Sequence, residues 1–115
     1  MKILKFGEFM EEERILNESP NLQPSKTGLK EVVWISVKNA SHGPRIKVYD
    51  TNKIKNFSVT IEDSPKVISG NCFVDTKELK NIFKFIIKNK DLLIRYWNKQ
   101  LTNDEIVNNI LNIED

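Results

Sequence analysis

The segment from Asp75 to Lys88 constrains the fold of this chain more than any other. Asp75, followed three residues later by Glu78, predicts a helix that starts with a capping box. Apolar side chains recur on one face of this helix, at Leu79, Ile82, Phe83 and Ile86. Lysines recur on the opposite face, at Lys77, Lys80, Lys84 and Lys88, and we call these four the lysine row. An apolar helix face needs a second layer to cover it, so we expect this helix to pack on a sheet.

The centre of the chain predicts that sheet. Four runs rich in β-branched and aromatic residues, separated by turn signals, cover residues 31–37, 44–49, 57–61 and 67–74. Within the last run, Ser69-Gly70-Asn71 indicates a bulge or a break. Strands followed by helices favour an α+β fold. We predict an antiparallel sheet of about four strands, packed by two or three C-terminal helices.

Helical patterns continue after Lys88, and the start of the chain is less defined. Residues 92–97 carry a second apolar face, and Thr102-Asn103-Asp104-Glu105 indicates another helix start. Residues 8–17 favour a short N-terminal helix, with a strand as the alternative, and residues 19–28 read as a connector. We predict one domain over residues 1–115, with an N-terminal segment and connector (1–24), a sheet (25–75) and helices (76–115).

Charge is distributed unevenly along the chain, although the net charge is only +2. Residues 25–101 carry fifteen basic and seven acidic side chains, whereas residues 102–115 carry four acids and no base. Residues 1–24 are also net acidic, with five acids against three bases. The basic body either attracts an acidic partner or is neutralised by the two acidic ends within the fold.

Composition argues against several classes of protein. Cys72 is the only cysteine, so it cannot form an internal disulfide, and we expect a small buried side chain in a reducing compartment. One histidine and one cysteine do not supply a converging set of metal ligands, so we expect no metal and no cofactor. No apolar run approaches the roughly 20 residues that span a bilayer, and the first residues do not resemble a signal peptide. We therefore expect a cytoplasmic protein with no membrane partner.

The densest candidate for a binding site runs from His42 to Tyr49. It places the only histidine, His42, beside a rigid Gly-Pro turn, and then puts Arg45, Lys47 and Tyr49 on one face of a strand. Arginine binds phosphates and carboxylates in a bidentate manner, and a tyrosine two residues beyond the lysine adds a stacking surface. We predict that these four residues and the lysine row form the binding surface, and that the chain has no catalytic residues.

The order of motifs from His42 onward resembles an uncharacterised family of small bacterial and phage domains of unknown function. The resemblance lies in His42-Gly43-Pro44-Arg45-Ile46-Lys47-Val48, in Gly70, in Glu78-Leu79-Lys80 and in the Leu-Leu-x-x-Trp pattern of residues 92–97. Members are often encoded beside a small partner in pairs that resemble toxin–antitoxin operons. Arg45 and Lys47 replace two histidines of the family motif, and such a permanently positive pair suits an anionic ligand better than a metal.

Three functions remain open from the sequence. The first is a non-catalytic protein-interaction module of a phage or mobile element, of toxin–antitoxin or anti-defence type, that binds a host or cognate protein. The second is a nucleic-acid-binding domain that uses the same basic surface, whose affinity would depend strongly on salt. The third is a small toxin enzyme, a hydrolase or nuclease that relies on His42 and nearby carboxylates. The oligomeric state is not defined by the sequence.

Overall fold

A computed structural model of the protein describes residues 20–38 and 42–115, and it has the predicted α+β architecture. Five strands come first: β1 (Asn21–Leu22), β2 (Val32–Ile35), β3 (Arg45–Tyr49), β4 (Asn56–Thr60) and β5 (Val67–Gly70). A one-turn helix, α1 (Pro24–Thr27), connects β1 to β2. Three helices follow the sheet: α2 (Thr76–Lys88), α3 (Lys90–Trp97) and α4 (Asn103–Asn109). The expected N-terminal helix at residues 8–17 lies outside the described residues.

The strands form one antiparallel sheet in chain order, β1-β2-β3-β4-β5. Its register aligns Val33 with Val48 and Val48 with Phe57, so their side chains share one face of the sheet. The helices supply the other half of the core on that same face, because the sheet residues belong to one buried apolar cluster with Ile82 and Phe85 of α2. The helices therefore cover one face of the sheet, and the side chains of Arg45, Lys47 and Tyr49 lie on the other.

Four sequence predictions are corrected in detail. The sheet has a fifth strand, β1, inside the predicted connector, where Leu22 is buried against Val33 of β2. The fourth predicted strand does not continue to Val74 but ends at Gly70, within the predicted break at residues 69–71, where φ is +82°. Phe85, rather than Phe83, is the phenylalanine of α2 that is fully buried. Cys72 is exposed, because it follows the end of β5 instead of continuing it.

The start of α2 is also only partly as predicted. Asp75 caps the helix, since its side chain accepts a hydrogen bond from the backbone N–H of Glu78 at 2.8 Å. In a capping box the Glu78 carboxylate would also accept a hydrogen bond from the backbone N–H of Asp75, but here it bonds other partners. The Glu78 carboxylate turns inward and accepts from the backbone N–H of Lys30, at 3.0 Å, and from the side chain of Asn81. The complete capping box occurs instead at α4, where Thr102 and Glu105 each bond the other's backbone N–H.

Asn89 is the single residue that separates α2 from α3. Its buried side-chain amide donates to the carbonyl oxygens of Phe85 and Leu111, and its side-chain oxygen accepts from the N–H of Leu111. The residues after α4 are thereby held against the end of α2, and the N–H of Ile113 continues this contact to the carbonyl oxygen of Thr27. Within the described residues, no helix is long and apolar enough to cross a membrane.

Candidate functional site

Arg45, Lys47 and Tyr49 lie side by side on β3, as predicted, and we call them the β3 face. Residues two apart on a strand point the same way at steps of about 6.8 Å. Neighbouring strands align with them, because Lys47 pairs with Trp34 on one side and with Ser58 on the other. The start of β3 is fixed by Ser36, whose hydroxyl donates to the carbonyl oxygen of Arg45 at 2.5 Å.

The β3 face is less open than the sequence suggests. All three side chains are only partly exposed, and burial raises the pKa of the Tyr49 phenol. Trp34 beside them is 7% exposed, with the Lys47 ammonium 5.7 Å from the centroid of its ring. A base or an aromatic ligand would need an open ring face on which to stack, and a tryptophan so deeply buried does not offer one.

His42 lies at the edge of this region. It is exposed and forms an isolated β-bridge three residues before β3 begins. Among the described residues, no group of three histidines, cysteines or carboxylates converges in a way that could hold a metal ion.

The lysine row lies on α2, as predicted, but on the opposite surface of the molecule from the β3 face. The buried side of α2, with Ile82, Phe85 and Ile86, faces the sheet. The lysines project from the opposite side of the helix, so the core and the sheet separate them from Arg45 and Lys47. The structure therefore forms two separate basic surfaces, and the predicted binding residues do not combine into one site.

Two apolar residues beside the lysine row complete a surface that the sequence did not reveal. Lys80, Phe83, Lys84, Ile87 and Lys88 line one shallow groove of about 480 Å³, which we call the α2 groove. Ile87 is 53% exposed and Phe83 is half-buried, so the floor of the groove is apolar while the lysines border it. The helical periodicity of Phe83 and Ile87, taken with that of the lysines, is the signal that could have identified it.

The lysines of the groove differ in their contacts. Lys80 and Lys84 are exposed, and no carboxylate among the described residues forms an ion pair with either. Lys88, at the end of the helix, donates to the backbone carbonyl oxygen of Asp115. Lys77 belongs to the row but lies outside the groove, one turn before Lys80 and nearer the start of α2.

A second feature that sequence reasoning missed is a pair of buried carboxyl groups. Glu31 and Glu78 are each 6% exposed, and their side chains hydrogen-bond to each other. Burial, together with the hydrogen bond and the charge of Glu78, raises the pKa of Glu31 to about 8. Burial acts to raise the pKa of Glu78 as well, but hydrogen bonds from Glu31, Lys30 and Asn81 lower it overall. The pair therefore holds one proton at neutral pH.

Comparison of the chain with protein-family models, with curated proteins and with solved structures found no match. The resemblance of residues 42–48 and 92–97 to a family of small bacterial and phage domains stays a prediction from the sequence. The two basic surfaces are therefore the features of the structure that bear on function.

Proposed function

We propose that the protein is a cytoplasmic, non-catalytic interaction module that binds an acidic partner protein through the α2 groove. The observation that carries the proposal is the joint lining of one groove by three lysines and two apolar side chains. Ile87 exposes 53% of its surface beside the lysines, so the exposed side of α2 combines apolar and basic groups. The exposed thiol of Cys72 is compatible with a reducing cytoplasm.

A protein fits the groove better than a nucleic acid does. Lysines alone supply phosphate contacts of no sequence preference, and those contacts would leave the apolar floor formed by Phe83 and Ile87 without a partner. Interfaces between proteins combine an apolar centre with a charged border, and the α2 groove has this arrangement. A role in a phage or mobile element, of toxin–antitoxin or anti-defence type, is part of the proposal and is carried by the sequence resemblance alone.

The proposal is tested by affinity capture from a lysate of the source organism, followed by quantitative mass spectrometry. The full chain is compared with the double variant Lys80→Glu/Lys84→Glu, which reverses two exposed charges of the groove. The matched control is Lys55→Glu/Lys66→Glu, which makes the same change in net charge at two exposed lysines outside the groove, one directly before β4 and one directly before β5.

We expect a protein that is enriched by the native chain and by the control variant but lost with the groove variant. Equal capture by all three chains would rule out the α2 groove as the binding surface. Enrichment of nucleic acid that disappears on nuclease treatment would favour the nucleic-acid alternative instead.

A further inference from the structure

We infer that the α2 groove binds an amphipathic helix of the partner protein, one that carries a stripe of carboxylates beside its apolar face. This inference rests on the proposed function and names the chemistry of the partner. Three properties of the groove support it: its course along α2, its lack of backbone hydrogen-bonding groups, and its one-sided charge.

The residues that line the groove all belong to α2 and follow its axis. Phe83 and Ile87 are one helical turn apart, and Lys80, Lys84 and Lys88 succeed one another at the same interval. With a rise of 1.5 Å per residue, the three lysines span about 12 Å in steps of about 6 Å. The ligand must therefore present an apolar row of similar length, with anionic groups repeated along one border.

A helix meets these requirements, and an extended strand does not. Side chains on one face of a strand also repeat at about 6.8 Å, but a strand has backbone N–H and C=O groups that need partners. The outer face of α2 offers none, because the carbonyl and N–H groups inside a helix bond to each other. A helical ligand satisfies its own backbone and packs side chains against side chains, as in other helix-in-groove complexes.

The charge of the groove defines the sequence of that helix. The lysines lie along one border of the apolar floor that Phe83 and Ile87 form. A complementary helix has apolar residues at intervals of three or four, with Glu or Asp at the same interval on the border that meets the lysines. Lys80 and Lys84 have no competing ion pair with a described residue.

An anionic membrane surface fits less well. Helices that lie in a membrane interface insert a broad apolar face, whereas the broad apolar face of α2, with Ile82, Phe85 and Ile86, is already buried against the sheet. Phe83 and Ile87 alone provide a narrow strip. That strip suits one helix and is too small to anchor the protein in lipid.

The test is a titration of the isotope-labelled full chain, followed by two-dimensional amide NMR. The ligand is a synthetic amphipathic helical peptide of leucines and glutamates that places a glutamate stripe beside a leucine stripe. Two comparison peptides have the same length: one replaces every glutamate by lysine, and the other scrambles the sequence so that the stripes are lost. A short DNA duplex and vesicles of phosphatidylserine and phosphatidylcholine are titrated in parallel.

We expect shifts centred on residues 80–88 with the glutamate-striped peptide and none with the two comparison peptides. Lys80→Glu/Lys84→Glu and Ile87→Ser should each weaken the binding of that peptide at least tenfold, whereas Lys55→Glu/Lys66→Glu should leave it unchanged. Circular dichroism confirms that each variant is folded. The Ile87→Ser variant is decisive for the apolar floor, because a purely electrostatic contact would not respond to it.

Equal shifts from the scrambled peptide, undiminished binding by Ile87→Ser, or no shift at millimolar peptide would each overturn the inference. Tighter binding of the duplex or of the vesicles at residues 80–88 would do so as well. If the lysate experiment finds a groove-dependent partner while the striped peptide does not bind, the proposed function stands and the helical ligand is rejected. If the peptide binds but no groove-dependent partner is captured, the proposed function is rejected and the chemical preference of the groove remains.

Discussion

The carboxyl groups of Glu31 and Glu78 hydrogen-bond to each other at the point where the chain enters β2 and the first turn of α2 lies against it. Two buried carboxylates repel each other, so the pair is stable only while it holds a proton. Burial raises the pKa of Glu31, whereas hydrogen bonds, among them one from the backbone N–H of Lys30, lower the pKa of Glu78. The contact joins the sheet to the helix layer and makes their association sensitive to pH.

The first prediction concerns stability as a function of pH. Burial raises the pKa of Glu31 to about 8 in the folded protein, from 4.5 for an unperturbed glutamate. The folded state therefore holds more protons than the unfolded state between these values, and the free energy of unfolding falls as pH rises through this window. One such proton gives a slope of up to about 1.4 kcal/mol per pH unit. The stabilisation is fully present below the unfolded pKa and is lost once pH exceeds the folded pKa of about 8.

Urea unfolding at intervals from pH 5 to pH 9 measures this slope. Glu31→Gln keeps a hydrogen-bond donor for the Glu78 carboxylate but cannot ionise, so it should flatten the profile in that range. Asp91→Asn, which neutralises an exposed carboxylate in the first turn of α3, is the control and should keep the native slope. A profile for Glu31→Gln that is as steep as that of the native chain would contradict the assignment.

The second prediction concerns Asn89. Asn89→Ala removes three hydrogen bonds and leaves the N–H and C=O groups of Leu111 without their side-chain partner. We expect a loss of about 2–4 kcal/mol in the free energy of unfolding, since partly buried backbone groups lose their bonds. Asn108→Ala, at an exposed position in α4, should change it by less than about 0.5 kcal/mol. Chemical denaturation measures the free energy of unfolding of both variants. Equal values would show that the Asn89 side chain stabilises the fold no more than that of Asn108.

The third prediction concerns Gly70 at the end of β5. A Cβ atom there would lie 2.5 Å from the carbonyl oxygen of Asn56 and 2.8 Å from the Cα of Phe57, in a backbone with φ of +82°. Because backbone atoms on a paired strand cannot move aside, Gly70→Ala should cost at least about 2 kcal/mol. Gly43→Ala is the matched control, since no atom lies within 4 Å of its added Cβ. A thermal melt that shifts equally for both variants would be incompatible with this geometry.

The fourth prediction separates the two phenylalanines of α2. Phe85 is fully buried in the core, whereas Phe83 is half-buried and lines the α2 groove. Phe85→Ala should therefore lower the free energy of unfolding by about 3–5 kcal/mol, and Phe83→Ala by less than about 2 kcal/mol. Denaturant titrations that reversed this order would place Phe83 in the core, as the sequence pattern had predicted, and would remove the floor of the groove.

Much of the fold could be predicted because it depends on local patterns. The bounds of α2 follow from the cap at Asp75 and from apolar residues at helical spacing, and the structure confirms residues 76–88 as a helix. The alternation at residues 57–61 likewise predicted β4 to within one residue at each end. Strand β1 was not predicted, because two residues are too few to show the alternation that is typical of a strand. They become a strand only by pairing with Trp34 and Val33.

Only part of each candidate site could be predicted, because local patterns give the direction of side chains but not their packing. The sequence placed Arg45, Lys47 and Tyr49 on one strand face and the lysine row on one helix face, since side-chain direction follows from the period of each element. The sequence could not show that Phe83 lies beside the lysines. Phe83 stands near the edge of the apolar face of α2, and a residue at that edge can turn either toward the core or toward the lysines. Packing resolved this by burying Phe85 fully in the core and Phe83 only partly against it.

The sequence by itself determined the α+β class, the order of strands and helices, and the spacing of the basic side chains, because each depends on residues a few positions apart. Only the tertiary structure decided that the lysine row and the β3 face lie on opposite surfaces, and that Glu31 meets Glu78. These relationships depend on which face of the sheet the helices cover and on how the strands are aligned. They arise from packing between residues distant in the chain, which no local period encodes.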